Sequence, residues 1–132
     1  MVISLINYCG KMTNEAPKLL KDWVNSISER NPIKQTSFYA KDAILLATYE
    51  PILIGQRAIY NYFVELLSKK DIKCSIRDNY SIINMGIVIA SGLYTFSFKD
   101  DNNDLVIIPA RYTFVISKDR IIDHHSSVEP SK

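Results

Sequence analysis

The first third of the chain carries apolar residues at helical spacing. Five of them form one stripe, which predicts a first helix that is capped by Thr13 or Asn14 and ends near Glu29. The stripe consists of Leu19, Leu20, Trp23, Val24 and Ile27. Asn31 followed by Pro32 is a second helix-start signal, so a short helix is predicted from residue 33 to about 40.

The middle of the chain combines two short apolar runs with another helical pattern. The continuous runs at 43–48 and 51–55 predict two short strands. A third helix is predicted from about residue 56 to 68, because apolar residues return at helical spacing and Lys69 and Lys70 follow its C-terminal end. Its inner face would consist of Ile59, Phe63, Leu66 and Leu67.

No helical period remains after Asp71. Segments 72–84, 86–98, 105–117 and 120–127 are rich in β-branched and aromatic residues, and they are separated by Met85-Gly86, by the polar run 99–104 and by the turn Lys118-Asp119. Four long antiparallel strands in succession are the simplest interpretation. Three helices followed by such a meander define an α+β architecture, in which the helices pack against one face of the sheet.

The third long strand is apolar on both of its faces. Its even-numbered residues from Val106 to Ile116 are all apolar, and its odd-numbered residues are apolar except for Arg111 and Thr113. Three helices can cover only one face of the sheet. We therefore predict that the other face contacts a second subunit, most simply in a symmetric homodimer.

Composition limits the choice of partners and location. The chain has 132 residues, the length of one domain, which is predicted to span 1–132 with residues 1–12 as a loosely ordered arm. Sixteen Lys and Arg residues stand against fourteen Asp and Glu residues without a basic run, so neither a nucleic acid nor a membrane is predicted as a partner. The N-terminal apolar run is too short for a signal peptide, and a cytoplasmic location is predicted.

Cysteines and histidines give no metal-binding pattern, and no cofactor is predicted. Cys9 and Cys74 match no metal-ligand spacing; reduced thiols are the favoured interpretation, and a disulfide between them is the alternative. His124 and His125 are adjacent in a predicted strand. Their side chains would point to opposite faces and could not bind one metal ion together.

Six segments resemble one known superfamily in their order along the chain. They are the helix around Trp23 and the stretches FYAKDAILLAT, GQRAIYNYF, SGLYTFSF, PARYTFV and DHHSSVEP, at residues 38–48, 55–63, 91–98, 109–115 and 123–130. Together they resemble the NTF2-like (SnoaL-like) superfamily. PARYTFV and HHSSVEP resemble its small bacterial proteins related to the association (hub) domain of calcium/calmodulin-dependent protein kinase II.

The resemblance extends over about residues 15–130. It implies a cone, in which a strongly curved antiparallel sheet of four long strands and one or two short ones wraps round three helices. It also implies a pocket between the first two helices and the concave sheet face, and oligomers formed through the convex face.

Six residues are predicted to line this pocket: Trp23, Tyr39, Phe63, Tyr94, Arg111 and His125. For the aromatic residues, ordinary core packing is the alternative interpretation. The direction of Tyr94 depends on a strand register that the sequence leaves open, and the same is true of Arg77, a further candidate.

Two polar residues of the predicted pocket carry its chemistry. Arg111 would bind a small anion, because a buried guanidinium needs an anionic partner; a salt bridge with Asp42 or Asp123 is the alternative. His125 matches the histidine of the superfamily's terminal H-x-S element and is predicted to face inward. A hydrogen bond within the sheet or at a subunit interface is its alternative role, and His124 would face the oligomer contact.

These features lead to two main functional hypotheses. The leading one is a non-catalytic homo-oligomeric module with a cavity for a small anionic molecule. The alternative is a small SnoaL-like enzyme of the isomerase, dehydratase or cyclase type with His125 as general base. A partner-binding adaptor with an exposed apolar groove is a third interpretation.

Two specific catalytic arrangements are unsupported. A ketosteroid isomerase of the superfamily has its catalytic Asp on the first strand, and the corresponding position, counted from Ala43, is Ala47. A relay of Asp123, His125 and Ser127 would need hydrogen bonds between residues that lie about 7 Å apart along one strand.

Overall fold

The computed structural model describes residues 10–131 and confirms the α+β architecture. The helices are α1 (Lys18–Ser26), α2 (Pro32–Ser37) and α3 (Gly55–Leu66), and a 3₁₀ turn (Ile27–Glu29) follows α1. The strands are β1 (Lys11–Thr13), β2 (Tyr39–Leu46), β3 (Leu53–Ile54), β4 (Lys70–Asn84), β5 (Ile87–Lys99), β6 (Leu105–Ser117) and β7 (Arg120–Val128). Residues 1–9, which include Cys9 of the alternative disulfide and most of the predicted arm at 1–12, lie outside the described residues, whereas Lys11 and Met12 of that arm belong to β1.

Helix α1 begins later than the sequence pattern predicts. Strand β1 pairs with Ser81, Ile82 and Ile83 of β4, which keeps this segment extended. Thr13 accepts a hydrogen bond from the backbone N–H of Glu15, and the extended residue at the start of the helix is Pro17. The predicted caps are therefore wrong, because Thr13 is held in β1 by its pairing with β4 and the helix begins only after Pro17.

Helix α2 begins as predicted and ends earlier. The Asn31 side chain accepts a 3.1 Å hydrogen bond from the backbone N–H of Lys34, which satisfies one of the free donors at the helix start. The helix ends at Ser37, short of the predicted residue 40. Tyr39 is already part of β2, which is longer than the predicted strand at 43–48.

The sheet has the strand order β1-β4-β5-β6-β7-β2-β3. Neighbouring strands in the sheet are antiparallel, except that β2 and β7 are parallel to each other. The inner face of the sheet packs against the helices, and the core between them is mainly aromatic. Its largest fully buried side chains include Trp23, Tyr39, Phe63, Tyr94 and Phe114. Among the described residues, no helix has both the length and the apolar character needed to cross a membrane.

Strand β6 alternates as its sequence predicts. It pairs with β5 without a register shift along its whole length. The even-numbered residues Ala110, Tyr112, Phe114 and Ile116 are buried on the inner face. The odd-numbered side chains, including that of Arg111, therefore point to the opposite side, which we call the outer face.

Strand β7 contains a bulge that changes which residues face inward. Val115 pairs with Asp123, whereas the next residue, Ile116, pairs with Ile121, so Ile122 is an extra residue on β7. Ile121 is fully buried before the bulge, and His124 is buried after it. A bulge reverses the parity of a strand, and the even-numbered residues of β7 therefore face inward from His124 onward.

Candidate ligand-binding cavity

A cavity of about 340 Å³ opens between the inner face of the sheet and helices α1 and α3. Its walls are largely aromatic, formed by Trp23, Tyr62, Phe63, Tyr94, Phe96 and Phe98. The inner end is buried and includes His124, with the half-buried Ser126 beside it. Three exposed charged residues, Glu50, Glu65 and Lys69, surround the mouth.

Three of the predicted pocket residues, Trp23, Phe63 and Tyr94, contribute to the cavity wall. Tyr39 is also fully buried, but it lies behind the wall and contacts the cavity residue His124 through a hydrogen bond. Whether any of these side chains binds a ligand remains a prediction.

The predicted inward orientation of Arg111 is wrong. Its side chain is exposed on the outer face, where its strand neighbours are Leu93 on β5 and Ser127 on β7. No salt bridge joins it to Asp42 or Asp123, all three being described residues. Arg77 is also outside the cavity and forms a salt bridge with Glu129.

The predicted orientations of the two histidines are reversed. His125 is exposed, whereas His124 is only 3% exposed and lies in the cavity wall. The bulge at Ile122 is the physical reason, because it allows Ile121 and His124 to face inward although they are three residues apart.

A chain of hydrogen bonds fixes the tautomer of His124. The Trp23 indole can only donate, and its Nε1–H donates to Tyr39 Oη at 3.1 Å. Tyr39 Oη lies 2.8 Å from His124 Nδ1 and can either donate its proton to this nitrogen or accept one from it. When Tyr39 is the donor, Nδ1 is the acceptor and the neutral ring carries its proton on Nε2.

The contacts on the other side of the ring select this tautomer. Tyr94 Oη donates to Ser126 Oγ at 2.6 Å, so its proton is not available to His124. The 3.2 Å contact between Tyr94 Oη and His124 Nε2 therefore requires a proton on Nε2. The chain of donors runs from Trp23 through Tyr39, His124 and Tyr94 to Ser126.

Burial keeps this chain neutral. Burial is the main cause that lowers the pKa of His124 from 6.5 to about 3, and the adjacent His125 lowers it further. Burial also raises the pKa of Tyr39 and that of Tyr94 well above 10.0. Phe114 stacks on the His124 ring with a centroid distance of 3.8 Å, which leaves no water on that side.

The arrangement is poorly suited to general-base catalysis. His125 is outside the cavity, and both ring nitrogens of His124 are engaged in hydrogen bonds. The two carboxylates of the cavity, Glu50 and Glu65, are exposed at its mouth. Within residues 10–131, no three His, Cys, Asp or Glu side chains come together in a way that could hold a metal ion.

The sequence interpretation missed several cavity residues. Phe96 and Phe98 follow Tyr94 at intervals of two on β5, so strand alternation could have identified them once Tyr94 was placed. Ser126 follows His124 in the same way. No local signal in the sequence marked the bulge that directs this pair inward.

Comparison with solved structures defines the class of fold. An NTF2-like superfamily protein from Salmonella enterica aligns with a TM-score of 0.74 at 16% identity, over 87% of this chain and 88% of that one. An NTF2-like protein from Streptomyces avermitilis, assigned as a dehydratase, aligns with a TM-score of 0.75 at 12% identity, over 86% and 92%. The chain thus has the NTF2-like fold that its sequence resembles.

A narrower assignment follows from two further comparisons. A protein from Xanthomonas campestris, assigned as a calcium/calmodulin dependent protein kinase II association domain, aligns with a TM-score of 0.79 at 29% identity, over 91% of this chain and 97% of that one. The family model of the calcium/calmodulin dependent protein kinase II association domain matches residues 12–130. The chain belongs to this family. A search of curated proteins gave no match.

Proposed function

We propose that the protein is a self-associating module and that two copies meet through the outer face of the sheet. The observation that carries this proposal is a set of exposed aliphatic side chains on that face. Leu105 and Ile107 of β6 are 57% and 59% exposed, and Ile89 of β5 is 38% exposed. A sheet face that meets only water usually carries polar residues at these positions.

The strand register gathers these side chains into two apolar areas. Ile82, Ile89 and Val115 are directly opposite one another across β4, β5 and β6. The second area is formed by Leu105 and Ile107, followed along β6 by the exposed Pro109. Between the two areas lie polar rows, so a second copy would cover apolar surface on either side of a polar centre.

Arg111 and His125 belong to this polar centre. Arg111 is opposite Leu93 and Ser127, and His125 is opposite Thr113 in the next row. A role at the subunit contact, which was the alternative for His125 in the sequence interpretation, thus fits its exposure better than a role as general base. Polar groups in the middle of a contact between identical faces add specificity of orientation.

Sedimentation velocity and light scattering at micromolar concentration test the proposal. The wild-type chain is expected to form dimers or larger assemblies. Ile107→Asp places a charge in the exposed apolar area and should weaken association about tenfold or more. Ile33→Asp is the matched control, because Ile33 is 72% exposed but lies on α2, away from the outer face.

Two results would contradict self-association through this face. One is a wild-type chain that stays monomeric at micromolar concentration. The other is an Ile107→Asp variant that remains folded by circular dichroism and associates as strongly as wild type. If Ile33→Asp, and not Ile107→Asp, dissociates the assembly, the contact lies on the helical side of the molecule.

The anionic ligand and the enzymatic alternative both receive less support than self-association. Each depended on Arg111 or His125 inside the cavity, and both side chains are exposed outside it. The cavity itself has largely aromatic walls and a neutral histidine at its inner end.

A further inference from the structure

We propose that the cavity binds a neutral, largely aromatic or alicyclic molecule whose single hydrogen-bond acceptor contacts the hydroxyl group of Ser126. This inference concerns the inner face of the sheet and does not depend on self-association through the outer face. It rests on the direction of the hydrogen bonds at the inner end, on the cavity walls and on the distribution of charge.

The direction of the hydrogen bonds leaves Ser126 as a donor. Its Oγ atom accepts the proton of Tyr94 at 2.6 Å. Within the part of the chain that the structure describes, the Ser126 hydroxyl donates no hydrogen bond to another protein group. The protons of His124 and Tyr94 are already used in hydrogen bonds within the protein. The hydroxyl proton of Ser126 is therefore the one that this series of hydrogen bonds leaves for a ligand in the cavity.

The walls favour a flat apolar body. Six aromatic side chains line the cavity, and a volume of about 340 Å³ is near the lower end of the range for small-molecule sites. Trp23 and Tyr94 lie parallel to within 17°, with Phe96 and Phe114 edge-on to Trp23. This mutual packing buries Trp23 and Tyr94, and the half-buried rings of Tyr62, Phe96 and Phe98 supply the accessible aromatic surface for a molecule of one or two fused rings.

The distribution of charge disfavours an anion. At the inner end, His124 is neutral over the physiological range because burial lowers its pKa to about 3. At the mouth, burial and the negative charges of Glu50 and Glu65 together raise the pKa of Tyr62 to about 12. The cation there, Lys69, lies 4.7 Å from the centre of the Phe98 ring. A carboxylate at the inner end would be desolvated without a cationic partner.

A set of four naphthalene derivatives separates the ligand classes by calorimetric titration. Acetylnaphthalene is neutral and carries one acceptor, methylnaphthalene lacks the acceptor, naphthoate is an anion, and naphthylmethylammonium is a cation. We expect acetylnaphthalene to bind wild-type protein about fivefold to tenfold more tightly than methylnaphthalene, the effect of one hydrogen bond. Naphthoate and the ammonium compound should bind more weakly than acetylnaphthalene.

Two serine variants test the assigned donor. Ser126→Ala should remove most of the preference for acetylnaphthalene over methylnaphthalene and leave the affinity for methylnaphthalene within about twofold. Ser127→Ala is the matched control, because Ser127 is the next residue and points to the outer face opposite Arg111; it should keep the full preference. The indole N–H signal of Trp23, the single tryptophan of the chain, should shift when a ligand enters the cavity.

Four outcomes with the wild-type protein would overturn the inference. If naphthoate binds most tightly, the cavity takes anions; if naphthylmethylammonium does, the carboxylates at the mouth dominate. Equal affinity for acetylnaphthalene and methylnaphthalene would remove the role of the hydroxyl group. An unchanged Trp23 signal during binding would place the ligand outside this cavity. Each of these results leaves the proposal of self-association intact.

Discussion

Burial of a neutral His124 has a consequence for folding stability that can be calculated. The pKa of this side chain falls from 6.5 to about 3 in the folded protein, mainly because of burial. In the unfolded chain the same histidine takes up a proton below about pH 6.5. Between these two pKa values the unfolded state binds more protons, so the folded state loses stability as the pH falls.

The size of the effect follows from the same two values. Within the window, each pH unit changes the free energy of unfolding by about 1.4 kcal/mol for one group. From about pH 6.5, where the unfolded histidine is half protonated, to about pH 4.5 the loss is therefore about 2 kcal/mol, a large part of the roughly 5–15 kcal/mol that stabilises a typical domain. Solvent screening does not reduce this figure much, because His124 is only 3% exposed.

Urea denaturation from about pH 7 to about pH 4.5, compared between wild type and His124→Gln, measures the loss. The glutamine amide can accept from Tyr39 and donate to Tyr94 and does not titrate. Carboxylates titrate in both proteins, so the prediction concerns the difference: the wild-type curve should be steeper by about 1.4 kcal/mol per pH unit.

His125→Gln is the control for this experiment. It removes the neighbouring histidine on the outer face and keeps His124, so the steep pH dependence should remain. The reasoning is refuted if His124→Gln and wild type lose stability in parallel as the pH falls. It is also refuted if the wild-type protein gains stability on acidification relative to the variant.

Two further substitutions test the packing of β5 and the contribution of a surface ion pair. A Cβ atom at Gly92 would lie 2.1 Å from the backbone oxygen of Asp78 and 2.8 Å from Tyr112 Oη. Gly92→Ala should therefore lower the free energy of unfolding in urea by about 2 kcal/mol or more. An unchanged free energy of unfolding would contradict this close approach. The side chains of Arg77 and Glu129 are 38% and 32% exposed. Arg77→Met should therefore change the free energy of unfolding by less than about 1 kcal/mol. A larger loss would mean that the pair is not an ordinary surface salt bridge.

The accuracy of the sequence predictions depended on how regular each element is. Strand β6 pairs with β5 without interruption from Leu105 to Ser117, so a period of two describes all of it. The start of α2 was also predictable, because Asn31 caps it through a local hydrogen bond to Lys34. The start of α1 was not, since it depends on pairing between β1 and a strand that is distant in sequence.

Arg111 shows a different limit of the sequence. Alternation separates the two faces of β6, but it does not say which of them meets the helices. Both faces are rich in aliphatic residues, with Ile108 on one and Ile107 on the other, so hydrophobicity could not decide the question. The aromatic pair Tyr112 and Phe114 marks the inner face in the structure, and Arg111 between Ala110 and Tyr112 must then point outward.

For the two histidines, too, the sequence does not show which one faces the helices. The sequence HHSS contains the H-x-S spacing twice, once as His124 with Ser126 and once as His125 with Ser127. Spacing alone cannot choose between these pairs, because each would lie on one face of a strand. The extra residue Ile122 makes the choice, since it turns the first pair inward.

This choice also decides which chemistry each face receives. A histidine deep in the sheet must find partners for both ring nitrogens, and Tyr39 and Tyr94 are placed to supply them. Without the bulge, His125 would occupy the inner face with Ser127, and His124 would join Arg111 outside. The bulge therefore decides which residues join the neutral donor chain of the cavity and which join the polar centre of the outer face, whereas the exposed aliphatic side chains of β5 and β6 that carry self-association do not depend on it.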